Sequence, residues 1–305
     1  MNQELLNAST FLKRYRVKHG KSFRLADIDP ADTQGLDLKD DEAKDLLEKG
    51  VARLSDLQQK LFAQDRWALL LIFQAMDAAG KDSVIRHVMS GVNPQGCQVY
   101  SFKQPSQEDL NHDFLWRASK LMPERGHIGI FNRSYYEEVL VVRVHPELLA
   151  NERLPHVKKK KIWRERFEDI NSFETYLDRD GILLRKFFLY VSKEEQKRRF
   201  LSRLDEPDKN WKFSEADVRE RERWDDYMSA YEDMIRHTAT PRAPWFVVPA
   251  DQKWFTRLVV ASIVIETLER LHLTFPRVDE ARKKELETAR ELLLNEGAQP
   301  TDQPS

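Results

Sequence analysis

The sequence predicts an α/β protein in which a parallel β-sheet is covered by helices on both faces. Two observations carry that prediction. Five short apolar runs, at 68–73, 99–102, 128–131, 183–191 and 245–248, alternate with longer stretches of helical periodicity, the pattern of a parallel sheet buried between helix layers. The first run continues into a small-residue turn and a further helical pattern, reading ALLLIFQAMDAAGKDSVIR over 68–86. Strand, anion-receiving turn and helix follow one another there.

Taken in order, residues 1–40 mix basic and turn-forming residues without periodicity and read as an extended arm. From Ala43 onward, Leu46, Leu47, Val51, Leu54, Leu57 and Leu61 recur at helical spacing, which predicts an amphipathic helix beside the core. Arm and helix together fill 1–65, the core spans 66–275, and 276–305 hold an alternating-charge helix, DEARKKELETARELLLNEG, with a polar tail that frays. Ligands of such a sheet gather at the carboxyl ends of its strands, which sets 77–81, the turn after Phe102 and 132–138 on one edge.

The 305 residues are 41% hydrophobic, enough for a sizeable core, and the charged 33% nearly cancel to a net of −1. Whole-chain charge therefore points to neither nucleic acid nor a membrane surface, and any anion site is local. A single cysteine, Cys97, excludes an internal disulfide framework and reads as a buried, inert thiol in a reducing compartment. The first twenty residues show no apolar signal core and no 18-residue apolar run occurs, so the expectation is a soluble cytoplasmic protein. Eight scattered histidines without ligand spacing argue against an all-protein zinc site.

The turn at 75–82 approximates G-x-x-x-x-G-K-[ST], with Ala75 in place of the first Gly and Asp82 in place of the hydroxyl residue. Its candidate phosphate contacts are Ala78, Ala79, Gly80, Lys81, Asp82 and Ser83. Asp77 is the odd member: a carboxylate in a phosphate loop repels its ligand unless a divalent cation lies between them, although a capping role is the plainer alternative. The second strand end, GIFNRSYYEEVLVVRVH, brings Asn132 and Arg133 toward the phosphates, with Glu137 one turn further, where it is a candidate for acceptor binding together with Asn132 and Arg117. The S-x-x-E spacing of Ser134 and Glu137 equally fits a capping box. Arg117, on DFLWRASKLMPERG, faces either solvent or the cleft. The basic stretch KEEQKRRFLSRLDEPDKNWKFS suggests a helix-loop-helix lid at about 193–223 that closes over phosphates, or an ordinary exposed helix. The lysine run at 158–161 reads as a solvated loop attractive to a polyanion, and Trp163, Phe167 and Phe173 beyond it read as core.

In order and spacing, DAAGKD, DFLWR, FNRSYYEEVLVVRVH, NWKFSEAD and APWFVVPADQKWFTR resemble the polyphosphate kinase 2 family over roughly 46–275. The resemblance implies a P-loop kinase fold like that of thymidylate kinase, three-layered, with a five-stranded parallel sheet and a helical lid. It implies magnesium-dependent, reversible phosphoryl transfer between inorganic polyphosphate and adenine or guanine nucleotides, at the mono- or diphosphate level, with manganese as a substitute ion. By resemblance Asp77, Asn132 and Arg133 organise metal and phosphates, Lys81 contacts the transferred group, and Arg117 holds the acceptor phosphate. Lys209 and Lys212, with Arg198, Arg199 and Arg203, would face the polyanion. A homo-oligomer, dimer or tetramer, is expected. Many relatives have Asp in place of Asn132, Asn in place of Glu137 and Gly in place of Ser83. The Asn-Arg-Ser-Tyr-Tyr-Glu version is similar to the class III subgroup, which accepts both AMP and ADP; the neutral Asn132 leaves Asp77 as the principal protein ligand to metal. Two rivals stand beside this reading: an ATP-dependent nucleotide kinase of the same fold, and a non-catalytic polyanion-binding module.

Overall fold

In the computed structural model, which describes residues 13–156 and 161–296, a six-stranded sheet runs in the order β1-β6-β5-β2-β4-β3. The strands are β1 Arg16–Val17, β2 Ala68–Gln74, β3 Cys97–Ser101, β4 Ile128–Asn132, β5 Ile182–Tyr190 and β6 Trp245–Pro249. Numbering only helices of eight residues or more, α1 is Asp40–Gln64, α2 Lys81–Val88, α3 Ile162–Arg179, α4 Lys193–Asp205, α5 Trp224–Thr238, α6 Lys253–Glu269 and α7 Glu280–Asn295. Strands β2 to β6 pair in parallel, as the alternation of apolar runs and helices predicts. The extra strand, β1, lies in the stretch read as an extended arm and pairs antiparallel with Trp245 and Phe246 of β6. Two residues held by main-chain pairing leave no periodic signal.

Every residue of β2 is buried, so helices cover both faces of the sheet. Helix α6 packs against both α1 and α2; α3 and α5 pack against each other. Helix α6 buries residues around most of its circumference, from Phe255 to Leu268, in keeping with its apolar sequence. Helix α1 buries Ala43, Leu46, Leu54, Leu57 and Leu61, the face its periodicity marks. Burial pushes the Cys97 thiol up to about 11, an inert sulfur at neutral pH. The chain divides into two compact units at Leu273; the second carries α7, capped by Asp279, whose side chain accepts from the Arg282 amide at 2.8 Å.

The site is positioned by register. Phe73 of β2 lies opposite Asn132 of β4, and the Arg133 amide donates to the Phe73 carbonyl at 3.0 Å. Central β2 has β4 on one side and β5 on the other, so its carboxyl end opens at the crevice where the chain direction of travel reverses.

Candidate active site

Beyond Gln74 the chain turns through Ala78 at φ +60° and Gly80 at φ +109° before α2 begins at Lys81. Gly80 takes this conformation freely, whereas Ala78 is held there at a cost of about 1–2 kcal/mol. The restraint is visible. Lys81 Nζ donates to the Ala75 carbonyl at 2.8 Å, Gln196 Nε2 to that of Asp77 at 2.9 Å, and Arg199 Nη1 to those of Ala78 and Ala79 at 3.0 and 2.7 Å. With the loop carbonyls tied back from two directions, the loop amides other than that of Ala79, which donates to the Met76 carbonyl at 3.2 Å, and the positive end of α2 are left to an anion. Burial, with the Arg133 charge beside it, pushes the Lys81 ammonium down to about 8.

Arg133 closes the site from β4. It sits at φ +63°, and its guanidinium donates through Nη2 to Asp77 Oδ1 at 2.6 Å and through Nη1 to Glu137 Oε2 at 3.2 Å. These two carboxylates hold Arg133 charged at any working pH, its titration raised by Glu137 first and by Asp77. In the orientation that satisfies both its ends, the buried Gln74 amide donates to Glu137 Oε1 at 2.9 Å and accepts from Ser134 Oγ at 3.2 Å. Ser134 does cap the next turn, accepting from the Tyr136 amide at 3.1 Å, but Glu137 does not close a capping box; it faces Arg133. The turn it begins is a 3-10 helix, Tyr135–Val139.

The cleft above the loop measures about 590 Å³ and is lined by Asp77, Ala78, Gly80, Lys81, Asp82, Ser83, Asn132, Arg133, Arg199 and Arg203 among the residues singled out from sequence. Ala79 is buried behind it. Asn132 Nδ2 donates to Asp82 Oδ1, bridging the end of β4 and the start of α2. Arg199 lines the cleft but its guanidinium also donates to the Ala250 and Asp251 carbonyls, so it braces the loop rather than offering an open fork. Arg198 lies outside the lining, 74% exposed and paired with Glu195. Arg203 reaches the cleft from α4 near Asp217, at 3.9 Å. Arg117 stands over Phe102, 5.3 Å from its ring centre, and donates to the Lys103 carbonyl at 2.8 Å. It flanks an adjoining hollow of about 340 Å³ formed by Ser101, Phe102, Lys103, Asn132 and Arg133. The helix-loop-helix expected as a lid is present as α4, a 3-10 turn over Pro207–Lys212 and a short helix over Glu215–Glu220. The side chains of Lys209 and Lys212, and residues 158–160 of the lysine run, lie outside the described residues.

Besides Ser202 of α4, sequence reasoning missed five charged or aromatic cleft residues: Arg86, Trp211, Asp217, Lys253 and Arg257. Of these five, all but Arg86 fall within NWKFSEAD and APWFVVPADQKWFTR, stretches distinctive enough to carry a resemblance yet silent about which side chain faces a ligand. Arg257 Nη2 donates to Ser83 Oγ at 2.9 Å while its buried Nε has no partner, and burial first, then the Arg86 charge beside it, lower its affinity for a proton. Two adjacent guanidiniums in one cleft are relieved by a multivalent anion.

A family model described as polyphosphate kinase 2 matches residues 37–275. The chain is 52% identical over 284 residues to an ADP-polyphosphate phosphotransferase of Rhodopseudomonas palustris, covering 92% of this chain and 98% of that protein. It is 41% identical over 273 residues to an AMP/ADP-polyphosphate phosphotransferase of Meiothermus ruber, covering 90% and 98%. The crystal structure of polyphosphate kinase 2 from Arthrobacter aurescens TC1 superposes with a TM-score of 0.83 at 41% identity, covering 92% of this chain and 96% of that one.

Proposed function

This chain belongs to the polyphosphate kinase 2 family, and from that premise we propose that it transfers phosphoryl groups reversibly between inorganic polyphosphate and nucleotides, converting AMP to ADP and ADP to ATP. The observation that carries the reading is the composition of the cleft. Lys81, Arg86, Arg133, Arg199, Arg203, Lys253 and Arg257 meet there against Asp77, Asp82 and Asp217, with Trp211 the one aromatic ring in the lining among the described residues. A linear polyanion fits such a surface better than a donor with a base to bury.

The reaction needs in-line positioning and neutralisation of spread negative charge, and no side-chain nucleophile. Loop amides, the α2 terminus and Lys81 hold the phosphoryl group under transfer. Arg133 spans the transfer point, because it borders both the large cleft and the hollow beside Phe102 and Lys103. The acceptor phosphate is assigned to that hollow, with Arg117 at its rim, and the remaining donor chain to Arg86, Lys253 and Arg257 and to the α4 side through Arg203. The acceptor oxygen is already ionised near neutral pH, so no general base is required.

The residues also fit magnesium. Among the described residues no three carboxylates, histidines or cysteines gather, which suits an ion that takes most of its ligands from water and substrate phosphates and one or two from protein. Asp77, a third exposed and engaged by Arg133 through one oxygen, would hold it. Bound there, magnesium would neutralise negative charge on the substrate phosphates. Incubating the protein with magnesium, polyphosphate and AMP or ADP, then separating the nucleotides, tests the reading: new ADP and ATP in proportion to enzyme support it, and an unchanged nucleotide pool refutes it.

A further inference from the structure

Behind the strand end that carries Arg133 lies a fully buried polar cluster that takes no part in the chemistry. Lys186 of β5 is 0% exposed and Glu174 of α3 is 2% exposed, and Lys186 Nζ donates to Glu174 Oε2 at 2.6 Å, to Tyr136 Oη at 2.9 Å and to the Thr238 carbonyl at 2.8 Å. All three ammonium protons are thereby used. Glu174 Oε1 accepts from Tyr135 Oη at 2.9 Å and from Tyr136 Oη at 2.7 Å. Replacing such an ion pair with apolar residues is often neutral or stabilising, so stability alone is a weak reason for it.

Its placement supplies a better reason. The two tyrosines follow Arg133 by two and three residues, and Arg133 occupies a left-handed backbone conformation that an arginine avoids unless its surroundings impose it. On the upstream side the chain is fixed by β4 and by the Arg133 amide bound to Phe73. On the downstream side it is fixed where the two hydroxyls reach Glu174. Between two fixed points the short Arg133 to Ser134 link has little freedom.

We propose that Glu174 and Lys186, acting through the hydroxyls of Tyr135 and Tyr136, are positioning residues that hold the Arg133 main chain in its left-handed conformation and so aim its guanidinium across the phosphate cleft. The network acts through Arg133 and touches no substrate. The inference rests on the reading of Arg133 as a phosphate-facing group.

A double-mutant cycle on the full chain tests it. Tyr135→Phe with Tyr136→Phe keeps the rings and the Glu174–Lys186 pair while removing both hydroxyls, and it is compared in the parent and in an Arg133→Ala background. Turnover should fall about tenfold in the parent and less than about twofold in Arg133→Ala, because the network has nothing left to aim. Equal factors in the two backgrounds, or no loss in the parent, overturn the proposal. Glu174→Gln, read in the same two backgrounds with a melting curve, repeats the test on the ion pair itself. Parental turnover in Arg133→Ala alone would instead overturn the reading of Arg133, a result the cycle reports separately.

Discussion

Arg133 Nη2 lies 2.6 Å from Asp77 Oδ1, joining the residue that follows β4 to the loop that follows β2. A carboxylate in a phosphate loop calls for a cation, and the chain provides one of its own. Asp77 thus orients Arg133 through one oxygen, and the other would be the one to hold magnesium in the reaction we propose.

Removing the charge on Asp77 while keeping its shape removes both functions. Asp77→Asn should lower turnover by about 10²–10³-fold or more and raise the magnesium concentration needed for half-maximal rate, with the melting temperature little changed. The check is a magnesium titration of initial rate, set beside a melting curve. Parental turnover with unaltered magnesium dependence would remove Asp77 from the site.

Lys81 titrates near 8, below the ordinary lysine value, because burial and Arg133 disfavour its charge. The folded group loses its proton as pH rises through about 8, and only the charged form attracts phosphate. Polyphosphate affinity should therefore weaken by up to about tenfold per pH unit above 8, a bound anion moving the inflection upward. Without ligand the sign for stability is opposite: the unfolded chain holds this proton up to about 10.5, so the group's destabilisation is present below 8 and fades between 8 and 10.5. The pH profile of the apparent KM for polyphosphate, compared in the parent and in Lys81→Arg, isolates this group.

The Arg86 and Arg257 pair should act on the polyanion rather than the nucleotide. Arg86→Ala with Arg257→Ala is expected to raise the KM for polyphosphate about tenfold or more and to take roughly 0.7–0.9 per lost contact from the slope of log affinity against log salt. The KM for ADP should move little. A loss confined to nucleotide affinity would reverse the assignment of donor and acceptor sides.

Glu137 accepts from Arg133 and, in the satisfied orientation, from Gln74, so its first effect is on the guanidinium. Glu137→Gln should lower kcat/KM for AMP and ADP together, by about tenfold, leaving their ratio unchanged. Measuring both acceptors at saturating polyphosphate decides the point; a shifted ratio would mean that the carboxylate meets the acceptor directly.

The parallel sheet was legible because burial on both faces writes continuous apolar runs, as in Ala68–Gln74. Strand β1 was not, since Arg16 and Val17 are half-buried and paired only through main chain. The loop was readable from Gly80 and Lys81, but nothing in the type of residue 133 announces a left-handed arginine. That conformation turns Glu137 toward Arg133 and defeats the capping-box spacing. Arg199 shows the same limit from the other side: sequence sees a basic helix, while only tertiary contacts reveal a guanidinium spent on the carbonyls of Ala78, Ala79, Ala250 and Asp251. Arg86 and Arg257 meet across α2 and α6, elements far apart in the chain.

The central claim is that this cleft takes its phosphoryl group from polyphosphate. The most direct measurement follows purified protein, magnesium and AMP by phosphorus NMR, with either polyphosphate or ATP as the added donor. The account predicts loss of polyphosphate end groups in step with the appearance of ADP and then ATP, and at most slow transfer from ATP to AMP. Rapid ADP formation from ATP with polyphosphate left intact would contradict it and identify an ATP-dependent nucleotide kinase instead.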